Sequence, residues 1–430
     1  MSVRAGVAVV DVTPAPGAAM SGFAARTRPA SGVHDPLTVR ALCVGDTALV
    51  TVDVVGLHED LCRRVRDRCA GVARHVVVHA THTHGGPVSM PGRLGDGLDP
   101  VWLDGVEQAC VEAVGRAAAR QEDVRVRAGR GSDPGVARNR RRPGGPVDRE
   151  LPVIRFDRAD GTTLAVLVSH ACHPAVLGPD NTLLTADYPA TVRDRLEREL
   201  ATTVVYATGC AGDTNTGHKA ADSWSAGPSA DRTFDAAARV GAQVADAALR
   251  AALGPAAADD TVAADDTVAG HTDPVVLDLD VPGPDALSRE AADWTARRTG
   301  AAPATAELYR VWADWARSVP TDPRRSWNGD VTVLRWGPVT LVALPGEPFA
   351  HTAGMIRARL VAPGIVVVIG YANGVPGYLP VCDEYPLGGY EVDDAHRYYG
   401  MPGPFATGSA ERVVDAALRA GAWSSRPGPR

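Results

Sequence analysis

A β-branched run that ends in alternating histidines limits what this chain can be more than any other stretch. Arg74, His75, Val76, Val77 and Val78 read as a short buried strand. His79, Ala80, Thr81, His82, Thr83 and His84 follow, and then Gly85, Gly86 and Pro87 force a loop. In an extended segment, residues two apart share a face. His82 and His84 are therefore expected to point into one pocket at the strand's end, with Thr81 and Thr83 turned away. Neutral imidazole is the commonest protein ligand for zinc, so the pair offers two ligands, or one ligand beside an acid–base group. On these residues alone, a pair of polar loop histidines without metal is an equally good reading.

The remaining chain is that of an ordinary globular protein. Its 430 residues are 45% hydrophobic and 22% charged, and the net charge of −7 is spread with mixed signs. That argues against a nucleic-acid partner and against stable membrane association. The densest cationic stretch, Arg138 to Arg142, reads on charge pattern as a solvated loop. Seven scattered cysteines without a C-x-x-C pair suit reduced thiols packed as small hydrophobes. The start lacks the apolar core of an export signal and no apolar run reaches membrane-spanning length, so a cytoplasmic location is expected.

Strands are expected at Val7 to Val12, at Leu37 to Val44 and Ala48 to Val55 around a Gly45-Asp46 turn, at Val124 to Ala128, Leu151 to Phe156, Thr163 to Ser169 and Thr203 to Ala207. More follow at Val331 to Trp336, Val339 to Leu344 and Ile365 to Ile369. Helical spacing covers Glu59 to Ala70, Pro100 to Gln121, Pro189 to Leu200, Ala230 to Leu253, Leu287 to Ser318 with a break at Gly300 to Pro303, and Ala410 to Ala420. The acidic, Ala-rich stretch from Gly254 to Thr267 reads as a surface loop or edge strand. Hairpins mixed with helices favour an α/β fold, a layered sandwich of mixed β-sheets flanked by helices, over a purely parallel sheet. No linker divides the chain, so residues 1–430 are expected to form a single catalytic domain.

Three further stretches repeat the pattern of a strand running into a Gly- or Pro-marked polar loop: Ser169 to Pro174, Thr208 to Asn215, and Leu344 to Pro348. Together with Gly6 to Pro14, His34-Asp35-Pro36, Asn139-Arg140, Ala186-Asp187-Tyr188, Gly370 to Asn373, Tyr378-Leu379-Pro380 and Gly389-Tyr390-Glu391, they resemble the neutral (non-lysosomal) ceramidase family of zinc-dependent amidases. Order and spacing agree over roughly residues 5 to 420. The resemblance implies a ceramidase catalytic-domain fold and Zn2+ held by His82, His173, Glu347 and Tyr378. It also implies His84 as acid–base partner, Arg140 and Tyr390 as donors to the developing oxyanion, and Asp213 and Asn215 on the substrate side. Tyr390 follows Tyr378 by the twelve residues that separate the family's two site tyrosines. His79 and His170 are expected as supporting or packed core histidines, and His34 and Asp35 as shapers of the pocket.

Two departures matter. Asn215, followed by Thr216, stands where the family has a serine and then a proline, and no C-terminal immunoglobulin-like domain is evident. An amide is a poor nucleophile, whereas metal-activated water needs no serine. The expected function is therefore zinc-dependent hydrolysis of a carboxamide (N-acyl) bond in a small soluble molecule. An esterase, lactonase or acyltransferase at the same site is the first alternative, and a non-catalytic ligand-binding homologue the last. An oligomer is compatible with all of these.

Overall fold

Every position of the strands Thr38–Val44 and Thr47–Val52 is buried, so the sheet that contains them must be covered on both faces. The computed structural model describes residues 3–219, 229, 231–254 and 267–424, and shows what covers it. The first sheet holds β1 (Val3–Asp11), β2 (Thr38–Val44), β3 (Thr47–Val52), β4 (His75–Ala80), β5 (Glu122–Ser132), β6 (Glu150–Asp157), β7 (Thr163–His170) and β8 (Thr203–Thr208). Their order is β8-β7-β6-β5-β1-β2-β3-β4. Pairing is antiparallel through the middle and parallel at both ends, β8 with β7 and β3 with β4. The second sheet runs β9 (Val268–Asp278), β10 (Ser326–Trp336), β11 (Val339–Ala343), β12 (Ile365–Ile369), with β11 and β12 parallel.

The sheets face each other across one apolar layer, in which Leu42, Leu49, Val77 and Ile154 meet Leu334, Leu341 and Val367. Trp336 lies in that layer and donates its indole N–H to Thr47 Oγ1 at 2.8 Å, so a large buried ring leaves no polar atom unpaired. Helices α1 (Glu59–Cys69), α2 (Pro100–Ala119), α3 (Tyr188–Leu200) and α4 (Phe234–Leu253) cover the outer face of the first sheet. Helices α7 (Ala350–Arg359) and α9 (Ser409–Ser424) serve the second sheet, while α5 (Pro284–Arg298) and α6 (Pro303–Ser318) pair with each other and α6 packs on α8 (Ala395–Tyr398). The expected mixed-sheet sandwich flanked by helices is what forms.

Local chemistry explains the boundaries. Gly45 takes φ 56° and closes the β2–β3 hairpin. Asp99 accepts from the backbone N–H groups of Val101 and Trp102, and Pro100 opens α2 where an N–H would be unpaired in any case. The break foreseen between α5 and α6 is present. Strand β9 was not foreseen from sequence. It is an edge strand carrying Pro274, and its polar residues face outward, so it lacks the apolar alternation of its neighbours. The acidic run at 255–266 lies outside the described residues, as does 220–228. Among the described residues, no helix is long and apolar enough to cross a membrane.

Three strands feed the site through the polar loops that follow them: residues 81–87 after β4, 171–174 after β7 and 344–348 after β11.

Candidate metal centre

Strand β4 stops at Ala80, and His82 adopts φ 67°, a left-handed backbone uncommon for a residue with a side chain. The two histidines therefore do not share a pocket by simple strand alternation, as expected from sequence, but through this bend. They still converge, with His82 Nε2 and His84 Nε2 3.4 Å apart. The bend is held on both sides. Thr81 donates its hydroxyl to Asp53 Oδ1 at 3.1 Å, and Thr83 donates to the Thr185 carbonyl at 2.8 Å, both turned away from the pocket as anticipated.

His173 arrives from the loop after β7. Its Nδ1 faces the carbonyls of Ala211 at 2.7 Å and Thr214 at 3.2 Å, and the Nδ1 of His82 faces the Val55 carbonyl. A carbonyl only accepts, so both Nδ1 atoms carry the proton and both Nε2 atoms present a lone pair. Those lone pairs meet at Glu347 Oε2, 3.2 Å from His82 Nε2 and 3.1 Å from His173 Nε2. The fully buried His173 Nε2 has no hydrogen-bond partner. Two lone pairs and a carboxylate oxygen repel unless a cation lies among them, so the donor set fits a metal ion. The ligand atoms of His82, His84 and His173 all lie within 4.8 Å of one another. Burial, reinforced by the Arg140 charge, pushes His173 down to about 4; burial and then His82 push His84 well below the usual imidazole range. Both rings are thus neutral near pH 7, the form that binds metal or accepts a proton.

Glu347 pairs in parallel register with Tyr378. Its Oε1 accepts from the Tyr399 hydroxyl, and Tyr371 stacks on His82 with ring centroids 4.2 Å apart. Sequence reasoning gave neither Tyr371 nor Tyr399 a site role, although Tyr371 lies inside the Gly370 to Asn373 motif. The Tyr398-Tyr399 doublet was the available signal, and it looks like any buried aromatic pair.

The reading of Arg138 to Arg142 as a solvated loop needs correction at its centre. The side chains of Arg140 and Arg141 are only 7% exposed, because Glu391 and Glu384 on the opposing loop neutralise them inside the protein. Arg140 donates from Nε to Glu391 at 2.8 Å and from its terminal nitrogen to the Tyr378 hydroxyl at 2.9 Å. Tyr390 stands edge-on to Tyr378, centroids 5.9 Å apart. Burial pushes both phenols up, so they stay protonated. Arg140, Tyr378, Tyr390 and Tyr399 thereby enclose a narrow pocket with His82 and His84.

Other candidates stand further back. Asp213 accepts from the Ala350 backbone N–H at 2.8 Å and from Asn139 at 2.9 Å, where it caps α7. Asn215 donates to the His218 carbonyl at 2.7 Å and accepts from Gly217 N–H at 2.8 Å, so its amide is engaged in its own turn. His79 lies between Gly370 and Thr208 in the core, and His170 bridges Asp133 and Tyr188. Asp35 caps the Thr185–Ala186 turn, and all seven cysteines are free. On the far side of His84 sits Gly22, with φ 99°; a Cβ there would lie 2.8 Å from the imidazole.

No protein-family model and no curated protein matches the chain. Solved structures do. The chain has a ceramidase-like fold: it resembles a ceramidase complexed with C2 at TM-score 0.71 and 18% identity, over 97% of this chain and 75% of that one. It is likewise similar to the neutral ceramidase from Pseudomonas aeruginosa, at TM-score 0.70 and 18% identity, over 100% of this chain and 76% of the other.

Proposed function

We propose that the chain is a zinc-dependent amidohydrolase that cleaves the N-acyl bond of a small soluble substrate, with His82, His173, Glu347 and Tyr378 holding the metal. The observation that carries this reading is the meeting of two buried imidazole lone pairs with Glu347 Oε2. The ceramidase-like fold supports amide chemistry. Bound zinc supplies Lewis-acid activation of water and of the carbonyl oxygen.

The protein's own groups do the rest. Arg140 and Tyr390 donate to the carbonyl oxygen as charge develops on it, and the Arg140–Glu391 contact fixes the guanidinium beforehand. His84, kept neutral by burial, takes a proton at Nε2 from the attacking water and returns it to the leaving amine. Asp213 and Asn215 act on the substrate side by fixing the walls, through the α7 cap and the turn at 215–218. Ligands drawn from both sheets favour one catalytic unit over the whole chain.

Two measurements test the reading. Elemental analysis should find about one zinc per chain, lost in His82→Ala and in His173→Ala; full occupancy in the double variant would overturn the ligand set. In kinetics, N-acetylated soluble amines should be better substrates than long-chain ceramide. The narrow pocket and Asn215 motivate this, since each methylene gains only about 0.8 kcal/mol and only where apolar wall covers it. A kcat/KM that climbs with acyl length to a full lipid chain would contradict the small-substrate assignment.

A further inference from the structure

The pocket over the histidines does not end at Tyr398. Ala24, Leu94 and Tyr398 also line a neighbouring cavity of about 400 Å³, whose wall carries five arginines. Three of these have their own carboxylates. Arg93 makes a bidentate pair with Glu59, at 2.7 and 2.8 Å. Arg310 is held by Glu307 and Asp314, and Arg397 by Asp394 and Glu290.

Arg26 and Arg28 differ. Arg26 is buried, and its guanidinium donates only to neutral carbonyls: Ser21 at 2.8 Å, His84 at 2.7 Å and Gly178 at 3.2 Å. Its Nε has no partner. Arg28, at the exposed lip, donates to the Asp180 carbonyl at 3.0 Å. Among the described residues neither has an ion-pair partner, and the Asp180 carboxylate reaches Arg26 only at long range. Phe23 is the flat wall beneath, with the Arg26 guanidinium 4.9 Å from its ring centroid and Arg232 on it at 5.4 Å. A buried guanidinium without a carboxylate is costly unless something supplies the charge.

We propose that this cavity is a subsite for a negatively charged group of the substrate, a carboxylate being the simplest case, read by Arg26 and Arg28. The inference rests on the amidase reading and narrows it: the molecule cleaved at His84 carries an anion on the part that reaches past Tyr398. Arg26 links the two places, since it donates to the carbonyl of His84 itself. A guanidinium presents donors in a fork that matches a carboxylate, and hydrogen bonds to charged groups are the strong ones.

The test uses the full-length, zinc-loaded protein and matched amides. Glutaryl-p-nitroanilide is compared with pentanoyl-p-nitroanilide for charge on the acyl side, and N-acetyl-6-aminohexanoate with N-acetylhexylamine for charge on the amine side. One pair should show kcat/KM at least about tenfold higher for the anionic member, mainly through KM. That ratio should collapse towards one in Arg28→Met, which lies at the surface and leaves the core intact, and return partly in Arg28→Lys. Arg26→Met should also collapse it. Calorimetric titration of glutarate into the wild type and Arg28→Met gives a readout without turnover, with binding expected only in the former. If no amide of the panel is cut, the amidase reading fails; glutarate binding lost in Arg28→Met would still support the anion site. Turnover without charge preference, together with no glutarate binding, overturns the inference.

Discussion

At the scale of single residues, the site depends on backbone choices that side-chain chemistry does not announce. The H-x-H pair drew notice from its own residues, whereas His173, Glu347, Tyr378 and Tyr390 entered only through the resemblance of their motifs to a known family. The left-handed turn at His82 was not legible, since an H-x-H pair after a valine run reads as extended. Gly22 was equally silent. It contributes nothing but room and a positive φ, and only the nearness of the His84 ring gives it meaning. Gly22→Ala should therefore lower kcat by tenfold or more, through displacement of His84, and leave zinc content unchanged. Steady-state kinetics beside elemental analysis would check this, and unaltered kcat would remove Gly22 from the account. Arg26 was missed for a different reason: its role depends on partners it lacks, and a sequence does not display those.

At the scale of elements, the helices and most strands followed from periodicity and caps, while the ion pairs that lock them together did not. Arg193 on α3 makes a bidentate contact with the buried Asp53 beyond β3, at 2.7 and 2.9 Å, and Asp53 in turn holds Thr81 beside His82. Arg193→Met would strand that carboxylate. Urea unfolding should show a loss of about 3–5 kcal/mol, with zinc released at lower denaturant than in the wild type. Asp213 gives a pH dependence. Burial raises its carboxyl to about 6, against 3.8 in an ordinary setting. A folded pKa above the unfolded one means that the native state binds the proton more tightly. This group's contribution is thus fully present below about pH 4 and is lost as pH rises through 6, a change on the order of 3 kcal/mol. The stability gap between wild type and Asp213→Ala should accordingly narrow over that window in pH-resolved urea melts. A gap that widens instead would refute the assignment.

At the scale of the whole molecule, mixed hairpins and helices pointed to a layered sandwich, and alternation located most of its strands. Periodicity could not say which strands neighbour which, since pairing between β3 and β4 or between β11 and β12 depends on contacts far apart in sequence. That pairing decides where the ligands come from: His82 and His173 leave the first sheet, whereas Glu347 and Tyr378 leave the second. A cation bound by all four would bridge the seam between two layers, adding to their apolar contact and to hydrogen bonds such as Trp336 to Thr47. Thermodynamic linkage then makes occupancy a global property. Metal at a thousandfold excess over its dissociation constant would add about 4 kcal/mol to unfolding. Chelation by EDTA should lower Tm by several degrees and raise amide exchange in strands of both sheets at once. Softening confined to the loops around His82 and His173 would mean that the layers hold together without it.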